Sequence, residues 1–409
     1  MFVQGPYLVR AAEITGDVLS LQGDSDTDTQ IDIFTNNKVS SVTWNGKNIE
    51  VKKTREGSLR GMIDGPGEFK APQFGTWKIH DGLPERLTSY SDSSIAWANA
   101  DHMETPNPNK NATKPYLYGD EYGFHHGIKL WRGRFHGSAS GIFITSQGGY
   151  SHGWSAFLNG HFVGSFMGSL EENSSSREIE FPLDTVFADG ENILLIVQDN
   201  AGHDQLRASI NPRGILNATL YDNEDGFGSW KVAGTAGGAV GIEIDPVRTG
   251  YSQGGLAAER LGWHLPGFDD SSWTEGSPSD GSSDAGVRYY RTVLPLNVPD
   301  GHDVALSVRL SPHEDAHDHF RAYVFVNGYQ YGKYFPYFAK ERSTFPVPPG
   351  IWDYNGDNVV GIAVWNQQND IVKLDASVDV DYVLASSLDV KFDGTYLRPS
   401  WDTERSEYV

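Results

Sequence analysis

Apolar and polar positions alternate along most of this chain in short runs, the period of two that a half-buried strand requires. Two runs stand out. Trp154-Ser155-Ala156-Phe157-Leu158 meets Asn159-Gly160 and resumes as His161-Phe162-Val163-Gly164-Ser165-Phe166. Tyr323-Val324-Phe325-Val326 meets Asn327-Gly328 and resumes as Tyr329-Gln330-Tyr331-Gly332-Lys333-Tyr334. A type I′ turn needs positive φ at both central residues, which Asn-Gly tolerates best, so each copy predicts a β-hairpin. Val42-Thr43-Trp44 before Asn45-Gly46 predicts a third.

The flanks of the first two hairpins also recur. Phe181-Pro182-Leu183 answers to Phe345-Pro346-Val347. Asp189-Gly190-Glu191-Asn192 before Ile193–Val197 answers to Asn355-Gly356-Asp357-Asn358 before Val359–Val364. Upstream, Trp131-Arg132 matches Tyr290-Arg291. The offsets agree to within a few residues, which implies one strand order used twice, each copy far longer than a solenoid repeat and suited to a whole β-sandwich. The predicted class is all-β. A small β-sandwich spans 1–65, a Gly/Pro-rich linker 66–76, and the two large sandwich domains 77–225 and 226–389, with a tail at 390–409. A polar insertion, Pro106-Asn107-Pro108-Asn109-Lys110, interrupts the first large domain where regular structure is not expected.

Composition sharpens this picture. With 46 Gly and 11 Trp in 409 residues, turns and aromatic cores dominate, as in sandwiches. No apolar run approaches the roughly 18 residues of a spanning helix, so a membrane partner is not expected. A net charge of −22 would repel a phosphate backbone, which argues against nucleic acid. Zero cysteines exclude disulfides, a thiol nucleophile and cysteine-ligated metal. Sequons at Asn111, Asn173 and Asn217 suit a secreted surface, whereas Met1–Pro6 does not read as a signal peptide. The expected location is therefore extracellular if the chain is a piece of a secreted parent, and cytoplasmic if Met1 is its native start.

The combination Asp92-Ser93-Ser94, Trp131-Arg132-Gly133-Arg134-Phe135, Ala156–Gly160, Asn211-Pro212-Arg213-Gly214-Ile215, Gly262-Trp263-His264-Leu265-Pro266-Gly267-Phe268 and Asn327–Tyr334 resembles the C-terminal part of fungal β-galactosidases of glycoside hydrolase family 35. Phe345-Pro346-Val347-Pro348-Pro349-Gly350-Ile351 is similar to the last domain of the same family. The resemblance covers nearly the whole chain. It implies a small β-sandwich followed by two jelly-roll domains of the galactose-binding-like type, flanking a (β/α)₈ catalytic barrel. It also implies that the two catalytic glutamates lie on that barrel, for which no βα repeat exists here. No glycosidase activity is expected from this chain, and no cofactor.

Arg132 and Arg291, recurring inside apolar strands, predict structural pairing with a buried carboxylate or loop carbonyls. Trp263, His264 and Trp273 predict an anchor for their loop. Asp24–Asp28 has part of a calcium loop but lacks its glycine and closing glutamate, and reads as an acidic turn. His313–His319 has metal-like spacing but reads as a solvated loop. The sharpest constellation joins three segments expected at one end of the first jelly roll. His125, His126, His152 and Asp199 are its catalytic candidates, as imidazoles beside a carboxylate, with Glu121, Trp154, Asn200 and His203 as substrate-binding candidates. Three functions follow: a non-catalytic scaffold or carbohydrate-binding region of a β-galactosidase, partnered by a barrel or a sugar; a lectin-like binder; or a stand-alone lyase, isomerase or cyclase of fungal specialised metabolism, acting on a small molecule in a new pocket.

Overall fold

The structure is a computed structural model that describes residues 1–147, 152–169, 174–202, 212–234, 254–388 and 399–403. The hairpins form as the Asn-Gly signals demand. Trp154–Leu158 turns into His161–Phe166, and Phe320–Val326 into Tyr329–Tyr334. Asn159 and Asn327 take φ of 51° and 46°, and the following glycines 92° and 90°. The asparagine side chains explain why a second Asn recurs downstream. Asn159 Nδ2 donates to Asn192 Oδ1 (2.8 Å) while its Oδ1 accepts from Ile193 N (2.8 Å). Asn327 repeats both bonds with Asn358 Oδ1 (2.7 Å) and Val359 N (2.8 Å). The turn is thereby riveted to the neighbouring strand.

Among the described residues, each jelly roll has a six-stranded inner sheet. The first runs Ala98–Asn99, Ser229–Ala233, Lys129–His136, Glu191–Gln198, Trp154–Leu158, His161–Phe166. The second runs Thr274–Glu275, Lys78–Asp81, Gly286–Pro295, Asp357–Asn366, Phe320–Val326, Tyr329–Tyr334. The structure differs from the sequence reading at one point of each sheet. Lys78–Asp81, placed by sequence at the head of the first large domain, pairs with Arg288–Arg291 of the second. Ser229–Ala233, placed at the head of the second, pairs with Leu130–Arg134 of the first. A backbone ladder does not discriminate between sheet edges, so a strand signal alone cannot say which edge it will close.

A second sheet completes each sandwich. Leu117–Tyr118, Gly214–Tyr221, Gly141–Gln147 and Ser174–Glu180 cover the first, burying Trp131, Trp154, Leu194 and Ile196 against Ile142, Ile144 and Ile215. Thr344–Val347, His302–Pro312 and Leu374–Ser386 cover the second. That last sheet runs on, through Ala385 and Ser386 paired with Ser25 and Asp24, into the small N-terminal sandwich. Segment 64–77 has no regular element, and its Phe69, Phe74 and Trp77 pack on the second jelly roll.

The outer faces of the two six-stranded sheets meet. Leu130, Phe157, Leu195 and Val197 from one lie in a single apolar cluster with Val287, Tyr289, Tyr323, Phe325, Ala363 and Trp365 from the other. This accounts for the uninterrupted apolar runs Ile193–Val197 and Val359–Val364: a strand buried on both faces has no polar side to alternate with. Burying each large side chain of this seam contributes roughly 1.5–3 kcal/mol before entropy.

Candidate functional site

The three segments singled out by sequence do converge. Gly127 N donates to Asn200 O (2.7 Å) and Asp199 N to Gly153 O (2.9 Å), which ties the loops after Tyr122, before Trp154 and after Gln198 into one knot. What they build differs from a ligand-lined cleft. Asp199 is fully buried, and its carboxylate accepts from two cations of the other jelly roll: Arg321 Nη1 at 2.7 Å and Lys333 Nζ at 2.8 Å. Arg321 is further spent on Gln367 Oε1 (3.1 Å) and Met167 O (2.8 Å), and lies over the Phe335 ring at 4.5 Å. Gly153 has no side chain because a methyl there would overlap the Arg321 guanidinium. The knot is a polar rivet beside the apolar seam.

Electrostatics follow from that enclosure. Burial would raise the Asp199 carboxyl, but Lys333 and Arg321 outweigh it and hold it at about 2. Burial pushes the His152 imidazole down to about 4, Arg213 adding to the effect and Asp199 opposing it. Lys129, fully enclosed, is pushed by burial down to about 7, against the pull of Asp120 and Asp199. At neutral pH the site therefore holds an ionised aspartate and a neutral imidazole, both closed to solvent, which is poor ground for proton transfer to a substrate.

The other predicted residues scatter. His125 is exposed, its Nδ1 2.7 Å from Asp120 Oδ1. His126 is half-buried beside it. Glu121, read as substrate-binding, accepts from Thr105 Oγ1 (2.5 Å) and so pins the polar insertion. Asn200 donates to His125 O (3.2 Å) and accepts from Gly202 N (2.9 Å), closing its own loop. Trp154, also read as substrate-binding, is wholly inside the first sandwich with Nε1 donating to Ser175 Oγ (3.2 Å), because a strand residue facing the core cannot face the loops. His203 lies outside the described residues, as do Tyr150, Ser151, Asn173 and Asn211.

Sequence reasoning missed Lys129, Arg321 and Lys333. The first two did carry a signal, a lone charge inside an apolar run (Ile128-Lys129-Leu130 and Phe320-Arg321-Ala322). The recurrent arginines behave as expected. Arg132 donates to Asp92 Oδ2 (2.7 Å) and Leu87 O (2.9 Å), and Arg291 to the Asp270 carboxylate and to Trp263 O (2.9 Å). Trp263 and Trp273 pack against His80 and Tyr289 in the seam. Asp24 belongs to a strand and pairs with Arg10 (2.6 Å) and Ser386 Oγ (2.6 Å). In the histidine run, His313 sits 3.0 Å from Asp375 and His317 against Asp370 O at 3.2 Å. No group of three or more metal-ligating side chains forms among the described residues.

Comparison with known proteins agrees with this architecture. Residues 90–204 and 258–370 match the β-galactosidase second all-beta domain, and residues 1–60 match β-galactosidase domain 3. Among curated relatives, a protein described as probable beta-galactosidase B of Aspergillus fumigatus is 48% identical over 420 residues, covering 100% of this chain and 41% of its own length. The Penicillium rubens counterpart is 46% identical over 417 residues, with the same two coverages. The one from Emericella nidulans is 48% identical over 408 residues, covering 95% of this chain and 39% of its own. The chain thus spans about two fifths of the length of these relatives. A solved glycosyl hydrolase family 2 member from Bacteroides cellulosilyticus covers 76% of this chain and 36% of its own at 12% identity, with a TM-score of 0.21 that bears on neither fold nor function.

Proposed function

Because the chain belongs to the family of the β-galactosidase second all-beta domain, we propose that it is the non-catalytic β-sandwich scaffold of a family 35 β-galactosidase and holds a catalytic barrel in place. The observation that carries this reading is the closure of the sole convergent ionisable cluster found by sequence: Asp199 is consumed by Arg321 and Lys333. Two jelly rolls that share a riveted, double-faced core move as one block, which is what a scaffold requires. A retaining glycosidase needs two carboxyl groups about 5–5.5 Å apart and open to the sugar. The buried Asp199 is supported by cations, not by a second acid.

The test is hydrolysis of a chromogenic β-galactoside by the purified chain. No turnover is expected. Turnover removed by an acidic substitution that leaves the fold intact, for example Glu121→Gln with an unchanged melting temperature, overturns the reading and favours the stand-alone enzyme.

We also infer an extracellular glycoprotein. Asn111 is exposed, and Asn217, on a strand of the outer sheet, accepts at its Oδ1 from Thr219 Oγ1 (2.6 Å). A mass loss after enzymatic removal of N-glycans, reduced by Asn111→Gln and Asn217→Gln and abolished when Asn173→Gln is added, supports it. An unchanged mass from a fungal secretory host counts against it.

A further inference from the structure

A groove of about 390 Å³ opens at the free edge of the first six-stranded sheet, away from the riveted knot, where the short edge strand Ala98–Asn99 pairs with Ser229–Ala233. Phe227 lines it as a half-buried ring, 4.5 Å between centroids from the Trp230 ring. Pro115 and the exposed Met103 complete an apolar surface, and exposed Asn99, Asp101 and Ser229 supply polar groups to the lining. Lys231 contributes only its stem, since its ammonium is held by Asp92 O (2.6 Å) and Asp92 Oδ1 (3.3 Å).

The groove is walled by Met103 and Pro115, which flank the polar insertion, and that insertion is held in shape. Thr105 is tied to Glu121 (2.5 Å), Tyr118 Oη donates to Asn109 O (3.1 Å), Tyr116 Oη to Lys110 O (3.2 Å), and Tyr116 N to His102 O (2.8 Å). The platform behind it is equally fixed. Gly133 is the only residue type that fits under Trp230, since a methyl there would lie 2.7 Å from the indole. In the second jelly roll the corresponding edge pair is Thr274–Glu275 on Lys78–Asp81, and there only a short segment separates that edge strand from Gly286–Pro295.

We propose that this groove is a binding site for a neutral oligosaccharide. An aromatic and aliphatic surface meets the C–H face of a pyranose, while a carboxylate and an amide that make no side-chain hydrogen bond among the described residues accept from and donate to its hydroxyls. The volume lies within the range of small-molecule sites. A protein of net charge −22, with Asp101 at the groove, disfavours acidic sugars. The site stands independently of the scaffold role: the chain binds sugar here without cleaving it.

Saturation-transfer NMR and calorimetry of the whole chain with galactotetraose, cellotetraose, mannotetraose and, as the acidic control, tetragalacturonate test the proposal. Binding of at least one neutral tetramer is expected, weakened about tenfold or more by Asp101→Ala and by Phe227→Ala, and unaltered by His125→Ala. Phe227 packs partly on the core, so Asp101→Ala, on an exposed side chain, keeps the test valid should the aromatic variant fail to fold. Absence of binding at millimolar tetramer, binding that survives Asp101→Ala, loss of binding in His125→Ala, or a preference for tetragalacturonate each overturns it.

Discussion

Replacing Asp199 with asparagine keeps the outline of the side chain and removes its charge. In the folded chain that charge has no access to water, while Arg321 at 2.7 Å is itself only 2% exposed and Lys333 approaches at 2.8 Å. The variant strands two cations next to a third, Lys129, whose ammonium is already disfavoured by burial. Removing one partner of a buried ion pair costs about 3–5 kcal/mol, because the survivor keeps its desolvation penalty. For a sandwich of ordinary domain size this is a fall in melting temperature of roughly 6–20 °C. Calorimetry at pH 7 measures it, and Arg321→Met alone and combined with Asp199→Asn completes a double-mutant cycle. The double variant is expected to lose less than the sum of the singles by about 1–3 kcal/mol. The pH dependence gives an independent reading. The carboxyl is held at about 2, below its unfolded value, so its contribution is fully present above pH 4 and lost as pH falls from there through about 2. That loss, on the order of 2 kcal/mol, is absent from Asp199→Asn. A melting temperature unchanged within error at pH 7, or an additive cycle, refutes the rivet.

Lys129→Met removes an amine whose folded pKa of about 7 lies below its unfolded value. Its penalty is full below pH 7 and relieved as pH rises toward 10, so the variant is expected to be more stable than the parent by about 1–3 kcal/mol at pH 6 and by less at pH 9, by urea unfolding. Asn327→Ala keeps a Cβ at φ 46° but removes the side-chain hydrogen bonds that offset it, and frees Asn358 and Val359 N; a cost of roughly 2–4 kcal/mol is expected in the same assay. Gly361→Ala drives a methyl into the Tyr289 ring in the seam and is expected to lower the melting temperature, whereas Gly46→Ala, with open space around it, costs only its strained φ of 80°. A chain starting at residue 82 removes Lys78–Asp81 and is expected to expose amides of Gly286–Pro295 in the second sandwich to hydrogen exchange, not those of the first.

The sequence by itself determined what depends on neighbours a few residues apart. The Asn-Gly hairpins form because positive φ is a local property. Arg132 and Arg291 were legible as structural because the same arginine returns inside an apolar strand in both copies, although their carboxylates, on Asp92 and Asp270, stand 40 and 21 residues away. The run Ile193–Val197 was legible as a strand, but that both of its faces are covered was decided by the second jelly roll. Tertiary structure decided the rest. Lys78–Asp81 and Ser229–Ala233 each close the sandwich that their place in the chain did not suggest, since ladder hydrogen bonds carry no address and the winning edge is set by the packing of Trp77 and Trp230 behind it. Asp199 read as chemistry because its partners stand 122 and 134 residues away, in another sandwich. A carboxylate in a sequence has no dielectric. Only the fold, by excluding water and bringing Arg321 and Lys333 to it, made that charge a fastener instead of a base.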